Sequence, residues 1–305
     1  MEQHAMYGRK YLERQKRRRR RRLKAYACYF ARMGLFVFLV MFAAMKLTEG
    51  LQHYMDKNVM ETAGQITAVE YTEQTTQHMV DSETGGLDAD YMSSDSLVEQ
   101  GYPESLVELF DKNPEARQFV LDYRKHADDG VSYDISGEVT EGVIPHFLQW
   151  DERWGYSMYG DDFMAVTGCG PTCLSMVYCG LTGDDRMSPP AVAEKAFNEG
   201  YYVDGAGSSW DMMTTLANEM GLYVNSVIFD EYHITNELQS GNPIICIMGP
   251  GTFTTTGHFI VLYGIDGNGN ILIKDPNSIL KTNTSWTLDE LMPQINNLWS
   301  YSYYG

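Results

Sequence analysis

The sequence predicts an α+β fold in which N-terminal helices pack on an antiparallel sheet, preceded by one transmembrane helix and a stalk. Three observations carry this expectation. Helix start and stop signals cluster between Cys169 and Gly221, strand signals dominate from Tyr223 to Lys274, and an apolar segment near the N-terminus comes directly after a dense basic block. Helices first and strands second is the order of an α+β domain, not of alternating βαβ units.

Charge divides the chain. Residues 1–32 hold 12 of the 23 Lys and Arg, against Glu2 and Glu13 alone, while the whole chain has a formal net charge of −18. The run Arg17 to Arg22, taken alone, fits a nucleic-acid or localisation patch. The neighbouring apolar segment argues for a membrane instead: from Ala25 to Met45 every residue except Arg32 is uncharged, and Leu35 to Phe42 are all apolar. Twenty-one helical residues span roughly 30 Å, the hydrocarbon thickness, and Arg32 lies near enough to one end for its head to reach the interface. Residues 1–24 are therefore expected as a basic cytoplasmic N-terminus and residues 25–47 as a transmembrane anchor. Positive charge before the span predicts a single-pass protein at the cell membrane, with the N-terminus cytoplasmic and the bulk of the chain extracellular. A cleaved signal peptide is the alternative, because the strictly uncharged run Met33 to Met45 is short, although no Ala-x-Ala site ends it.

Residues 48–100 are polar and acidic, with turn-like clusters at Ser82 to Gly86 and Ser93 to Ser96 and a possible short helix over Met60 to Val69, and are expected as a stalk. Residues 101–142 read as a helical lead-in. Leu106, Val107, Leu109 and Phe110 follow Pro103, and Phe119, Val120 and Tyr123 follow Asn113 and Pro114, each set at helical spacing behind a starting proline.

From Val143 to the C-terminus, residues 143–305, the pattern is dense and globular. Pro171 to Cys179 predicts a helix that begins just after Cys169 and ends at Gly180. Ser188 with Pro189 opens a second that closes near Gly200, and Ser209 opens a third that ends at Gly221. Strands are predicted at Tyr223 to Ile228, Ile244 to Met248, Phe259 to Ile265 and Ile271 to Lys274, with Asp266 to Asn270 as the hairpin turn between the last two.

Five cysteines make no disulfide framework: Cys28 lies in the apolar segment, Cys169, Cys173 and Cys179 share one predicted helix, and no Cys-x-x-Cys occurs. Free thiols in an outer domain need a reason, and Cys169 supplies one. It sits in Gly168-Cys169-Gly170-Pro171-Thr172, at the positive end of a predicted helix, where a thiol pKa falls below its usual value of about 8.5. The two glycines leave the backbone free for a tight entry and for close approach of a substrate. His258 opens an apolar strand, and Asp275 ends the return strand 17 residues later, so antiparallel pairing makes the two neighbours. An acid there would fix the imidazole tautomer and stabilise the imidazolium. Gln149, twenty residues before Cys169, can supply an amide donor to an oxyanion. Cys173, one turn further along, reads as a core residue, and Trp150 and Trp154 read as packing.

Taken together, Gln149, Gly168 to Thr172, Gly257-His258 and Asp275-Pro276 resemble the papain-like cysteine peptidase family 39, the bacteriocin-processing double-glycine leader peptidases, and particularly its stand-alone branch. The resemblance covers Val143 to the C-terminus. It implies a papain-like cysteine peptidase fold and a catalytic set of nucleophile Cys169, base His258, orienting Asp275 and oxyanion donor Gln149. The substrate it implies is a peptide or protein. Tyr102 to Leu106 and Asn113 to Glu115 also resemble the lead-in of anchored or secreted bacterial members. No Gly-rich lysine loop is present, so the transporter-fused, ATP-using form is not expected, which weakens double-glycine leader cleavage as the reaction.

No metal or other cofactor is expected, because His4, His53, His78, His126, His146 and His233 are scattered without ligand spacing. No nucleic-acid partner is expected either. Two alternatives stand beside the peptidase. A cell-wall peptidoglycan endopeptidase or amidase would use the same Cys-then-His order, although such enzymes tend to place Asp before the cysteine, where this chain has Gly168. The other is a catalytically silent peptide-binding module on the same fold.

Overall fold

The computed structural model describes residues 92–305. The basic N-terminus 1–24, the expected anchor 25–47, the expected short helix near residues 60–69 and most of the expected stalk lie outside the described residues. Among the described residues no helix is long and apolar enough to cross a membrane.

Helical structure starts earlier than the stalk's composition suggests. Helix α1 (Ser94–Glu99) is capped by the Ser93 hydroxyl, which accepts from the Ser96 N–H at 3.3 Å, and is anchored by the fully buried Leu97. The serines expected to make a turn instead begin a helix, since serine is among the best N-cap residues. Helix α2 (Glu104–Lys112) buries Leu106, Val107, Leu109 and Phe110, as the spacing predicts. A 3-10 turn at Pro114–Ala116 then leads into α3 (Arg117–His126), whose last turn carries Arg124, Lys125 and His126 where cations suit the helix dipole. These helices share a core with Tyr156 and Ala165; Phe119 stacks on Tyr156 at 4.1 Å, and the Tyr156 hydroxyl donates to the Phe119 carbonyl at 2.7 Å.

The next segment builds the helical layer. A two-residue hairpin, β1 (Met158–Tyr159) and β2 (Asp162–Phe163), runs into the single turn α4 (Met164–Thr167), and only Gly168 separates this from α5 (Cys169–Thr182). Helix α5 begins at Cys169 itself and continues past Gly180 to Thr182, closing at Gly183 with φ +68°. Gly180 is not a stop signal. A Cβ there would lie 2.4 Å from Ile144 Cδ1 and 2.8 Å from its Cα, so the glycine admits a close crossing of the chain.

Helix α6 (Pro189–Asn198) matches its prediction. After the short pair β3 (Tyr202–Val203) and β4 (Gly207–Ser208), the expected helix from Ser209 to Gly221 divides into a 3-10 turn, Trp210–Met213, and α7 (Thr215–Glu219). At the break the Thr214 hydroxyl donates to the Asp211 carbonyl at 3.2 Å, the local back-bonding that bends helices.

The remaining elements are β5 (Tyr223–Ser226), α8 (Glu231–Gln239), β6 (Ile244–Met248), β7 (His258–Ile265), β8 (Ile271–Lys274), the single turns α9 (Ile279–Thr282) and α10 (Leu288–Leu291), and β9 (Ile295–Ser302). Strand β5 stops short of the expected Ile228. The sheet is antiparallel throughout in the order β5-β9-β6-β7-β8. Both of its faces are covered. Ile245, Ile247, Phe259 and Val261 pack on the layer containing Cys173, Leu174 and Val177 of α5, and Ile244, Cys246, Ile260 and Leu262 pack on Ile234, Leu238 and Leu291. At about 1.5–3 kcal/mol for each fully buried aliphatic side chain, this double burial fixes the sheet against α5 and so fixes Cys169 relative to β7.

Candidate active site

Cys169 is the first residue of α5, and each neighbouring glycine has a packing reason. A Cβ on Gly168 would lie 2.4 Å from the Met164 carbonyl, and one on Gly170 would lie 2.7 Å from Ser208 Oγ. The glycines thus let α4 and β4 close on the start of the helix, so their small size serves packing where the sequence suggests close approach of a substrate. Pro171 stands two residues inside the helix, where a missing N–H still costs nothing.

His258 begins β7 opposite Met248, and Asp275 follows Lys274 at the end of β8, with Lys274 in register with Val261. The hairpin therefore joins them as its topology predicts: His258 Nε2 is 2.7 Å from Asp275 Oδ1, with the imidazole side chain 8% exposed and the carboxylate fully buried. Because Nε2 is committed to Asp275, Nδ1 is the ring nitrogen left for the Cys169 thiol, which lines the same cleft as His258. Burial alone would push the thiol up. The hydrogen bond and charge of His258, with the N–H groups of Phe259 and Gly170, outweigh it and hold Cys169 below its ordinary value. Burial opposes the charge on His258 in the same way, and the adjacent Asp275 carboxylate and the thiolate overcome that and raise it to about 10. Both directions favour a thiolate–imidazolium pair at neutral pH.

The other described thiols differ. Cys173, Cys179 and Cys246 are free and fully buried, whereas Cys169 is only partly so. Burial pushes Cys173 well up, Cys179 up to about 12, and Cys246 strongly up.

Gln149 lines the same cleft as Cys169 and His258, a cavity of about 1180 Å³. Its Nε2 donates to the Ala165 carbonyl at 2.6 Å and has a long second contact to Val166 at 3.4 Å, while Oε1 is buried without a partner. One amide hydrogen is therefore held by the scaffold and the other has at most a weak partner. A second hollow of about 510 Å³ runs along α8 from Asp230 to Gln239 and is lined by no cysteine. Among the described residues no group of three or more His, Cys, Asp or Glu could hold a metal ion.

The model of the Peptidase_C39 like family matches residues 143–305, a little over half of the chain. The chain belongs to this family. Similar solved structures include the peptidase domain of Streptococcus ComA, a bifunctional ABC transporter involved in quorum sensing. It is 18% identical over 45% of this chain and 93% of that one, with a TM-score of 0.34. A structure described as a C39-like peptidase from Bacillus anthracis is 15% identical over 55% of this chain and 98% of that one, with a TM-score of 0.35. No curated protein matches the chain.

Within this C39-like domain the structure brings Gln149, Cys169 and His258 to one cleft with Asp275 buried behind His258, and it adds partners with no signal in the sequence. His146, one of several histidines scattered along the chain, has Nε2 2.7 Å from the Asp275 carbonyl and 3.0 Å from Thr282 Oγ1. A carbonyl can only accept, so Nε2 carries the proton, and burial keeps the ring neutral by lowering its pKa. The Asp275 N–H donates to Thr282 Oγ1 at 2.9 Å, the Gln149 N–H to the Pro276 carbonyl at 2.8 Å, and Trp150 Nε1 to the Asn277 carbonyl at 3.2 Å. Trp150 is thus a clamp on the acid loop, and Trp154, 1% exposed, is core. The backbone carbonyls that receive these bonds are invisible to sequence patterns. Only the Asp-Pro-Asn turn chemistry at residues 275–277 signals that the loop is structured.

Proposed function

We propose that the chain is a membrane-anchored cysteine peptidase that hydrolyses peptide bonds with Cys169 as nucleophile, His258 as acid and base, Asp275 as orienting group and Gln149 as an oxyanion donor. The observation that carries this reading is the placement of the partly exposed Cys169 at the start of α5 in one cleft with His258, whose imidazole is bonded to the buried Asp275 carboxylate. Membership of the C39-like family supports it independently.

In the proposed reaction the Cys169 thiolate attacks the carbonyl carbon of the scissile bond. The resulting oxyanion accepts from the Cys169 backbone N–H, which as a first helical residue lacks an intrahelical partner, and from the Gln149 amide hydrogen that is only weakly engaged by Val166. The His258 imidazolium gives its Nδ1 proton to the leaving amine as the C–N bond breaks, leaving an S-acyl enzyme. Neutral His258 then takes a proton from water, hydroxide adds to the thioester carbonyl, and collapse expels the Cys169 thiolate with a free carboxylate product. Asp275 keeps Nε2 protonated through both halves and does not itself accept the proton. The cleft is lined by Val166, Phe163 and Met158 as well as by Gly257 and the threonines before it, a mixture suited to an extended peptide.

The charge asymmetry of residues 1–47 supports an N-terminus inside, a span over 25–47 and the peptidase domain outside. External protease added to intact cells should remove a tag placed after Gly305. A tag that stays protected while a cytosolic control is equally protected would reverse this orientation. Activity is tested by incubating the full chain with a peptide library and reading new termini by mass spectrometry. Wild-type protein should generate them and Cys169→Ala should not. Equal cleavage by the two, or none by either, would overturn the reading.

A further inference from the structure

The family match begins at residue 143, yet the loop that carries Asp275 is held by residues that precede it by some thirty positions. Asp275 Oδ1 accepts from both His258 Nε2 and the Asn277 N–H, the latter at 2.8 Å, while Oδ2 is buried without a partner. The aim of the carboxylate at His258 therefore depends on where the backbone of Asn277 sits. Asn113, buried between α2 and α3, hooks that residue twice: its Nδ2 donates to the Asn277 carbonyl at 2.8 Å and to Asn277 Oδ1 at 2.9 Å. Two residues on, the Glu115 carboxylate accepts from the Ser278 hydroxyl, from the Ile279 N–H at 2.8 Å and from the Leu280 N–H at 3.0 Å. Asn113 Oδ1 in turn accepts the Glu115 N–H at 3.0 Å, and Pro114 stiffens the turn between them, so the two side chains form one rigid clip.

We propose that the helical lead-in is part of the active site, with Asn113 and Glu115 as positioning residues that set the aim of Asp275 at His258 and α2 as one wall of the peptide cleft. Ser105, Glu108, Leu109 and Lys112 of α2 line the same cavity as Cys169. The lead-in core also takes in Ala165 of α4, just ahead of the nucleophile's helix, so the lead-in touches both arms of the site. A clip that served only to dock the helices could attach anywhere on the domain. This one closes on four of the five residues that follow the acid, Asn277 to Leu280. Its hydrogen bonds to an ionised carboxylate are of the stronger, charge-assisted kind.

The inference rests on the cysteine-peptidase reading, so its test includes a measurement that needs no substrate. The titratable groups facing the His258–Asp275 pair are Cys169 and Cys173 from α5, with His146, Lys274 and Glu115 around the acid loop. Full-length Asn113→Asp, Glu115→Gln and Glu115→Ala are compared with wild type. Asn113→Asp keeps the oxygen that caps the turn but sets a carboxylate against two oxygens of Asn277, and Glu115→Gln keeps an acceptor for the backbone N–H groups.

In Asn113→Asp and Glu115→Ala the pH midpoint for alkylation of Cys169 should rise by about half a unit or more, as His258 loses part of its anionic support. Turnover should fall about 10- to 100-fold, mainly in kcat, as expected for a small misplacement of a catalytic group. Glu115→Gln should recover most of both. Folded Asn113→Asp and Glu115→Ala proteins with wild-type alkylation midpoints, whatever their melting temperatures, would reduce the clip to a structural role. A wild-type chain that cleaves no peptide would remove the peptidase reading while leaving the alkylation comparison to decide this one.

Discussion

The segment that carries Cys169 and the loop that carries Asp275 meet at His258, but they are built differently. Around Cys169 the determinants are close in sequence: α4, two packing glycines, and a helix whose first residue is Cys169 itself. Around Asp275 they come from residues 113, 115, 146, 149, 150 and 282, most of them more than a hundred positions away along the chain. The thiol's environment is thus local chemistry on a helix end, and the carboxylate's is a product of the tertiary fold. Substitutions should respect that difference. Removing a reacting group abolishes function wherever it lies, whereas removing a support matters only where the support is long-range and has no substitute.

The largest expected loss after that of the nucleophile itself is at the shared group. His258→Ala should reduce kcat by about three orders of magnitude or more, because it removes both the proton donor and the cation that keeps the thiol ionised. Turnover within tenfold of wild type would take His258 out of the mechanism. Asp275→Asn should cost less, about 10²- to 10⁴-fold, and should change the shape of the pH profile. In the wild type Cys169 is shifted down and His258 up to about 10. Activity then rises as pH climbs through the low thiol value and falls only as His258 deprotonates near the upper value, with both limbs belonging to the coupled pair. Without the carboxylate, His258 falls back toward its usual value of about 6.5 and the alkaline limb should move down with it. An alkaline limb that stays in place in Asp275→Asn would show that the acid does not support the imidazolium.

The same contrast explains how much of the molecule is legible in the sequence. Cys169, His258 and Asp275 can be selected because helix punctuation, a strict hairpin turn and antiparallel pairing are short-range rules, whereas Gln149 stands out only through the family resemblance. Strands β6 and β8 appear with their predicted bounds and β7 with one added residue, as their apolar runs between turn residues require. Strand β9 escapes such rules. Asn296, Asn297, Ser300 and Ser302 dilute its pattern, and it becomes a central strand only because β5 and β6 flank it. Helix α8 escapes them because Ile234 and Leu238 are its only buried residues, although Asp230 caps it through the His233 N–H. Gly180 reads as a stop because a sequence cannot distinguish a glycine that ends a helix from one that admits a neighbour. His146, Asn113 and Glu115 act on backbone groups of a distant loop, and no local rule points to them.

Selective alkylation tests the central claim, a single activated thiol made by the end of α5 and the imidazole together. Brief treatment of the full chain with a small excess of iodoacetamide at about pH 6, well below the value of an ordinary thiol, followed by peptide mapping, reads thiolate fraction and access at every cysteine at once. Among Cys169, Cys173, Cys179 and Cys246 the label should fall on Cys169, with activity lost in step and with the selectivity blunted in His258→Ala. Label found mainly on Cys173 or Cys246, with activity falling in proportion to it, would contradict the account.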